Sequence, residues 1–169
     1  MIKMIVMDLD GTLLNDDKNI SAYTMSILEK CKETGIKIVI ASGRSRAAAE
    51  EIIDLIKPDF SILNYGTLII DKNNVIIYIA AFSLGMPDGI FECMGKMNAI
   101  EILSKEQNIS LSEIAAFGDG FYDIGMIKYC GTGVAMENAP DAVKIFAKNI
   151  CENNNDDGVA KWIEENILK

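Results

Sequence analysis

The sequence predicts an α/β domain: a doubly wound, Rossmann-like sheet of mainly parallel strands with helices on both faces. Three observations predict it. Short apolar runs alternate along the chain with longer stretches of helical spacing, the pattern of successive β-α-β units. The runs Met4 to Met7, Ile36 to Ala41 and Ile114 to Phe117 read as buried strands. Asp8, Ser42 and Asp119 each stand at or just after the end of one of these runs. In open parallel sheets the ligand crevice lies beyond the carboxyl ends of the strands, at the point where strand order reverses.

Each element has a local reason. After the first strand, Asn15 to Asn19 is a polar loop. Ser21 can cap a helix that runs to about Thr34, with Gly35 as its stop. Ile36 to Ala41 is the second strand, ended by Ser42-Gly43-Arg44. Ala47 to Ile56 is helical until Pro58. Ser61 to Asn64 is a third strand. Thr67 to Ile70 and Val75 to Ile79 flank Asp71-Lys72-Asn73-Asn74 and predict a β-hairpin with a four-residue turn. Phe82 to Gly95, with Gly85, Pro87, Asp88 and Gly89, reads as a linker. Helical spacing resumes from Lys96 to about Gln107. Ile114 to Phe117 is a fourth strand, Phe121 to Tyr129 a short helix, and Gly133 to Met136 a fifth strand. Pro140 opens another helix, Asn149 to Cys151 is a last short strand, and Val159 to Leu168 is a terminal amphipathic helix. The expected organisation is one domain over residues 1–169, with a projecting hairpin at about 67–81 and a short linker at about 82–95.

Composition narrows the chemistry. The 169 residues fit one domain, and 50% hydrophobic content can fill a core. A net charge of −9 argues against nucleic-acid and anionic-membrane partners. The chain has no histidine, which removes Ser-His-Asp and Cys-His catalysis and His-ligated zinc. Cys31, Cys93, Cys130 and Cys151 form no C-x-x-C pair and read as small buried hydrophobes in a reducing cytosol. The start of the chain lacks the apolar core of a signal peptide, and no apolar run approaches the ~18 residues of a membrane span. A cytoplasmic location is expected.

Four short stretches carry the chemistry. In Asp8-Leu9-Asp10-Gly11-Thr12 the two carboxylates are two residues apart on an extended segment, so both can face one pocket. Paired carboxylates repel unless a proton or cation joins them, and a hard cation such as Mg²⁺ takes oxygen ligands. Ser42 and Gly43, at a strand end before a helix, offer a hydroxyl and backbone N–H groups suited to phosphate oxygens. Lys96 can neutralise a nucleophile and a phosphoryl group. Gly89 to Lys96 is no Walker loop: the spacing is one residue too long, and Met97 stands where Ser or Thr is required. In Gly118-Asp119-Gly120-Phe121-Tyr122-Asp123, Asp119 can complete a Mg²⁺ shell, and Asp123 can support that shell or orient Lys96.

These stretches, in this order and strand context, resemble the motifs of the haloacid dehalogenase (HAD) superfamily of phosphatases. The likeness is nearest to its Cof-like branch, through Asp8 to Leu14, Ser42-Gly43-Arg44, Lys96 with Ala99, Gly118-Asp119-Gly120 with Asp123, and Gly133 to Ala139. The resemblance implies a Mg²⁺-dependent phosphatase of small phosphomonoesters, with a phosphorylated sugar or sugar acid as the substrate class. It implies Asp8 as nucleophile and Asp10 as general acid and base. Ser42, Gly43 and Lys96 would bind phosphate, and Asp8, Asp10 (through its backbone carbonyl) and Asp119 the metal. Thr12, Asp123 and Asn138 would support the site. Two departures stand out. The large cap of Cof-like proteins has no counterpart between the third strand and Lys96, and Tyr122 replaces the family's usual Asn. Capless relatives tetramerise through a hairpin. The apolar runs of the 67–81 hairpin, which would leave both its faces apolar, extend that expectation of a homo-oligomer, a tetramer, to this chain.

Three alternatives keep a similar pocket. A response-regulator receiver would need its acceptor Asp after the third strand, where Ile62-Leu63-Asn64 stands instead. A phosphate-binding or regulatory protein could retain the pocket without turnover. A phosphotransferase normally needs a closing cap to exclude water.

Overall fold

The structure, a computed structural model, describes residues 1–79 and 88–169, with side chains in the second span from Gly95 onward. In chain order the strands and helices are β1 (Met4–Met7), α1 (Ala22–Glu33), β2 (Lys37–Ala41), α2 (Arg46–Ile56), β3 (Phe60–Leu63), β4 (Leu68–Asp71) and β5 (Ile76–Ile79). There follow α3 (Asp88–Glu106), β6 (Ile114–Gly118), α4 (Ile124–Tyr129), β7 (Thr132–Met136), α5 (Asp141–Lys144), β8 (Asn149–Cys151) and α6 (Gly158–Asn166). The strands form one sheet in the order β5-β4-β3-β2-β1-β6-β7-β8, parallel from β3 to β8. The chain builds outward from β1 to β2 and β3, then crosses back to add β6 on the other side. β1 is therefore where strand order reverses, and the crevice belongs at its carboxyl end.

Alternation along the central strands sorts the core into two layers. Ile5 and Met7 of β1, Ile38 and Ile40 of β2, and Ala115 and Phe117 of β6 share one layer with Ile27, Leu28 and Cys31 of α1 and Ile163 of α6. Their neighbours Met4, Val6, Val39, Ala41, Ile114 and Ala116 face Met97, Ile100 and Leu103 of α3 and Met126 of α4. Every residue of β1 is buried, which is why its sequence is apolar without interruption. Ser21 caps α1 as expected, accepting the Thr24 N–H at 2.9 Å. Asp157 ties this end of α1 to the start of α6: its carboxylate accepts the hydroxyls of Ser21 at 2.6 Å and Thr24 at 2.8 Å. Cys31, Cys130 and Cys151 are buried free thiols, and burial pushes the Cys31 thiol up to about 11 and the other two to about 12. Cys93 lies outside the described side chains. No helix among the described residues is long and apolar enough to cross a membrane.

Two expectations change. The hairpin does not project as a separate unit. β4 pairs antiparallel with β3 and β5 with β4, so the hairpin extends the sheet edge and β4 buries Ile69 and Ile70. The reason is the free side of β3: its ladder groups away from β2 need partners, and the chain reverses directly after Leu63. Residues 80 and 81 of the expected hairpin lie outside the described residues. The expected linker at 82–95 is helical from Asp88 onward, as part of α3, while 82–87 is not described. Gly85, Pro87, Asp88 and Gly89, residue types of low helical propensity, gave that stretch its linker-like composition.

Gly95 is there for close approach. The turn after β3 runs through three consecutive residues with positive φ, Asn64 at 49°, Tyr65 at 55° and Gly66 at 98°. It packs against α3 backbone to backbone. A Cβ on Gly66 would lie 2.0 Å from the Gly95 carbonyl oxygen, and one on Gly95 would lie 2.0 Å from that of Tyr65. This contact sets the height of Lys96, the next residue of α3. Gly66→Ala is expected to destabilise the protein by at least about 1–2 kcal/mol from the left-handed backbone alone. The collision with Gly95 adds to that. Urea denaturation monitored by circular dichroism measures it, with a lowered midpoint as the expected outcome.

Candidate active site

The chain ends its central strands at one place. Asp8 follows β1 and its N–H donates to the Phe117 carbonyl at 3.0 Å. Ser42 follows β2 and its N–H donates to the Ile62 carbonyl at 2.8 Å. Asp119 follows β6, and Lys96 enters from α3. Asp8, Asp10, Ser42, Gly43, Lys96, Asp119 and Asp123 all line a single cavity of about 370 Å³. These residues come from stretches up to 115 positions apart in the chain.

Lys96 is the centre of the cavity floor. It is only 2% exposed, and its Nζ donates to Asp8 Oδ1 at 2.6 Å and to Asp123 Oδ1 at 2.7 Å. Burial alone would drive the ammonium pKa down, but the Asp123 and Asp8 carboxylates outweigh it and hold it above its ordinary value. Asp8 goes the other way. Burial pushes its carboxyl up to about 7; Lys96 opposes this, and the Asp123 and Asp119 carboxylates add to the rise. Asp123 is fully engaged, because its second oxygen accepts the N–H groups of Asp119 at 3.1 Å and Gly120 at 2.9 Å. Of the two roles open to it from sequence, orienting Lys96 is the one its contacts serve.

Thr12 and Asn138 stand behind the cavity wall. The buried Thr12 hydroxyl donates to Asp119 Oδ1 at 2.9 Å and fixes that carboxylate. Asn138 donates to the Gly11 carbonyl at 2.8 Å and accepts the Asn154 N–H at 3.2 Å, clasping the first loop to the last. Gly11 has φ 80°, and a Cβ there would lie 2.4 Å from Asp119 Oδ2. Only glycine lets the two acidic loops meet this closely.

Asp8, Asp119 and Asp123 bring carboxylate oxygens within 4.8 Å of one another. Three carboxylates around one ammonium leave excess negative charge in a poorly solvated pocket. A divalent cation with oxygen ligands fits that charge and that donor set. The side-chain cluster holds the expected Asp8 and Asp119; Asp10 was expected to contribute its backbone carbonyl, not its carboxylate. The Asp10 carboxylate is drawn out of it by Arg44, whose Nε and Nη2 both donate at 2.7 Å, and by Lys18 at 3.0 Å. Those contacts, Arg44 first, outweigh burial and pull the Asp10 carboxyl down to about 2. Only the backbone carbonyl of Asp10 is left to serve a cation in this arrangement.

Four further residues, Gly120 among them, complete the wall. Arg44 lines the cavity with Tyr65 and Tyr122. Arg44 stood in the sequence directly after Ser42-Gly43, yet nothing in that dipeptide shows that its guanidinium turns to Asp10. Tyr122 was visible only as a departure from the family pattern. Tyr65 left no signal, because a tyrosine after a strand has no motif. Among the described residues every buried side-chain nitrogen and oxygen has a hydrogen-bond partner, so this polar floor is preorganised.

Comparison with known proteins accords with this geometry. The model of the haloacid dehalogenase-like hydrolases matches residues 5–94 and 86–163, two pieces that meet at 86–94. The 5-amino-6-(5-phospho-D-ribitylamino)uracil phosphatase YcsE of Bacillus subtilis is 25% identical over 240 residues, covering 99% of this chain and 96% of that protein. That alignment is longer than the 169-residue chain, so part of the relative has no counterpart here. The pyridoxal phosphate phosphatase YbhA of Escherichia coli is 44% identical over 62 residues, which cover 37% of this chain and 23% of that protein. The crystal structure of a haloacid dehalogenase-like hydrolase from Bacteroides thetaiotaomicron superposes with a TM-score of 0.86 at 22% identity, over 98% of this chain and 99% of that one. With the family model matched along most of its length, and with the four motif stretches gathered into one acidic cavity, the chain belongs to the haloacid dehalogenase-like hydrolases.

Proposed function

We propose that the protein is a Mg²⁺-dependent phosphatase that hydrolyses a small phosphomonoester through an aspartyl-phosphate on Asp8. The observation that carries this reading is the buried Lys96 bridging Asp8 and Asp123 at the carboxyl end of the central strand. Family membership and the phosphatase names of the relatives support it. The motifs imply a phosphorylated sugar or sugar acid, while the residues around the phosphoryl site call for a small phosphomonoester without choosing its alcohol. Tyr122, where the family usually has Asn, does not remove any of the carboxylates or Lys96. A single core domain without a cap belongs to the same proposal, supported by the relative's unmatched stretch.

In this reading an Asp8 oxygen attacks phosphorus as the ester P–O bond breaks. Asp10 gives a proton to the departing alkoxide, then takes one from the water that attacks the aspartyl-phosphate and releases inorganic phosphate. Asp10 is ionised while Arg44 and Lys18 hold it, so its acid role needs the incoming ester to loosen those contacts. Lys96 offsets negative charge on the phosphoryl oxygens and keeps Asp8 aimed. Ser42 and the N–H groups around Gly43 receive a phosphoryl oxygen. Asp8, Asp119 and the Asp10 carbonyl would hold Mg²⁺, which when bound supplies further charge neutralisation at the phosphoryl group.

The homo-oligomer is part of the proposal, with a tetramer favoured through the hairpin. Among the described strands β5 pairs only with β4, and Val75, Ile76, Ile77, Tyr78 and Ile79 are all exposed in the monomer. An apolar edge of this kind invites pairing with a second copy. Light scattering at micromolar concentration is expected to give a multiple of the 18.5 kDa chain mass, and Ile77→Lys to lower it. A clean monomer with full activity counts against the assembly.

Two measurements test the site. Asp8→Asn is expected to keep the fold and reduce phosphate release by at least about a thousandfold, as loss of a nucleophile does. EDTA is expected to abolish activity and Mg²⁺ to restore it. Because a ligand stabilises the state that binds it, Mg²⁺ should also raise the melting temperature, and Asp119→Asn should remove that rise. An EDTA-treated enzyme working at full rate would sink the metal assignment.

A further inference from the structure

We propose that Tyr65 and Tyr122 form the leaving-group subsite, and that they favour a phosphomonoester whose alcohol carries a planar aromatic ring. The proposal rests on the phosphatase reading above and names the substrate class of that site. Both rings line the cavity that holds Asp8 and Asp10. Their centroids are 4.7 Å apart at an interplanar angle of 59°, a tilted pair. Tyr65 is 40% exposed and Tyr122 37%, so each retains aromatic surface that a ligand can cover.

The placement of Tyr65 is unusually determined. Its own φ is 55°, between Asn64 at 49° and Gly66 at 98°. Tyrosine gains nothing from a left-handed backbone, and such strain persists where surrounding contacts over-determine it. Here they do. The Tyr65 N–H donates to the Ser42 carbonyl at 3.2 Å and the Asn64 N–H to the Arg44 carbonyl at 2.9 Å. The strained turn is thus bonded to the loop read as the phosphate cradle. The Tyr65 ring also lies over Gly43, where a Cβ would come within 2.5 Å of it. Gly43 therefore has a second use: it makes room for the aromatic ring beside the cradle. The ring beyond it belongs to Tyr122, in the turn that carries Asp119 and Asp123. The turn that carries Asp119 and Asp123 and the turn bonded to the cradle thus each contribute one aromatic ring to the same wall.

An aromatic leaving group covers such a wall through ring contacts, while a small alkyl group leaves it wet. Calorimetric titration in Mg²⁺ with benzylphosphonate and ethylphosphonate, inert stand-ins for phosphomonoesters with and without a ring, reads this without turnover. Benzylphosphonate is expected to bind about fivefold tighter than ethylphosphonate, the scale of one or two aromatic contacts. Tyr65→Asn removes the ring with a residue that tolerates positive φ, and it should bring the two affinities within about twofold. Tyr65→Phe should keep the preference, and Tyr122→Asn should reduce it. An unchanged preference in both Tyr65→Asn and Tyr122→Asn, or none in the unmodified protein, overturns the proposal. Phosphate release from benzyl phosphate by the same unmodified protein tests the phosphatase reading separately.

Discussion

The rest of the site depends on one buried ammonium. Lys96 sits between Asp8 and Asp123 with almost no access to water. Moving one lysine and two carboxylates out of water costs several kcal/mol per ion, and their mutual attraction repays it only with good geometry. The fold supplies that geometry from three directions. β1 delivers Asp8, the turn after β6 delivers Asp123, and α3 delivers Lys96. Such a cluster is a poor way to gain stability, since apolar residues of similar volume would serve as well. Its retention makes sense as a charge cluster kept for binding rather than for stability.

Backbone contacts reinforce that arrangement where side chains would not fit. Gly66 and Gly95 allow the turn after β3 to press on α3 just before Lys96. Gly11 allows the first acidic loop to meet Asp119, and the Thr12 hydroxyl next to it fixes the same carboxylate. Asn138 and Asn154 then clasp the first loop from the carboxyl-terminal side, Asn154 donating to the Leu14 carbonyl at 3.0 Å. Loops from both ends of the chain thus converge on β1, and the reversal of strand order at β1 is the topological reason they can.

Much of this was legible in the sequence, and the parts that were not have physical reasons. β1, β2, β6 and β7 were visible because strands covered on both faces need largely apolar runs, interrupted only at the half-buried first residues Lys37 of β2 and Thr132 of β7. The Ser21 cap of α1 was visible because capping is a local hydrogen bond. Asp8, Ser42, Lys96, Asp119 and Asp123 were legible as motifs and do meet in one cavity. The start of α3 was hidden because Gly85, Pro87, Asp88 and Gly89 read as a linker, while Gly95 answers to a tertiary contact with Tyr65. The hairpin's attachment to β3 was hidden because period and turn chemistry say nothing about which strand edge is free. Arg44 and Tyr65 were hidden for a similar reason: a side chain's direction across a pocket is fixed by packing between loops distant in sequence.

The two carboxylates of the first loop show how far a difference of two residues can carry. Asp8 is almost fully buried, and burial dominates its titration, raising it to about 7. Asp10 is partly open to water, and Arg44 and Lys18 lower it to about 2. Identical side chains on one short loop are thereby driven in opposite directions by what the fold places around them. The inner half of the cavity is a rigid charge cluster whose partners are all internal. The outer half is an ion pair that an arriving group can exchange for its own contacts, bordered by two tyrosines. A group that must be bound the same way every time suits the first environment. A group that varies from one substrate to another suits the second. The division of a phosphoester into phosphoryl and alcohol maps onto that division of the cavity, which burial sets at Asp8 and the Arg44 and Lys18 contacts set at Asp10.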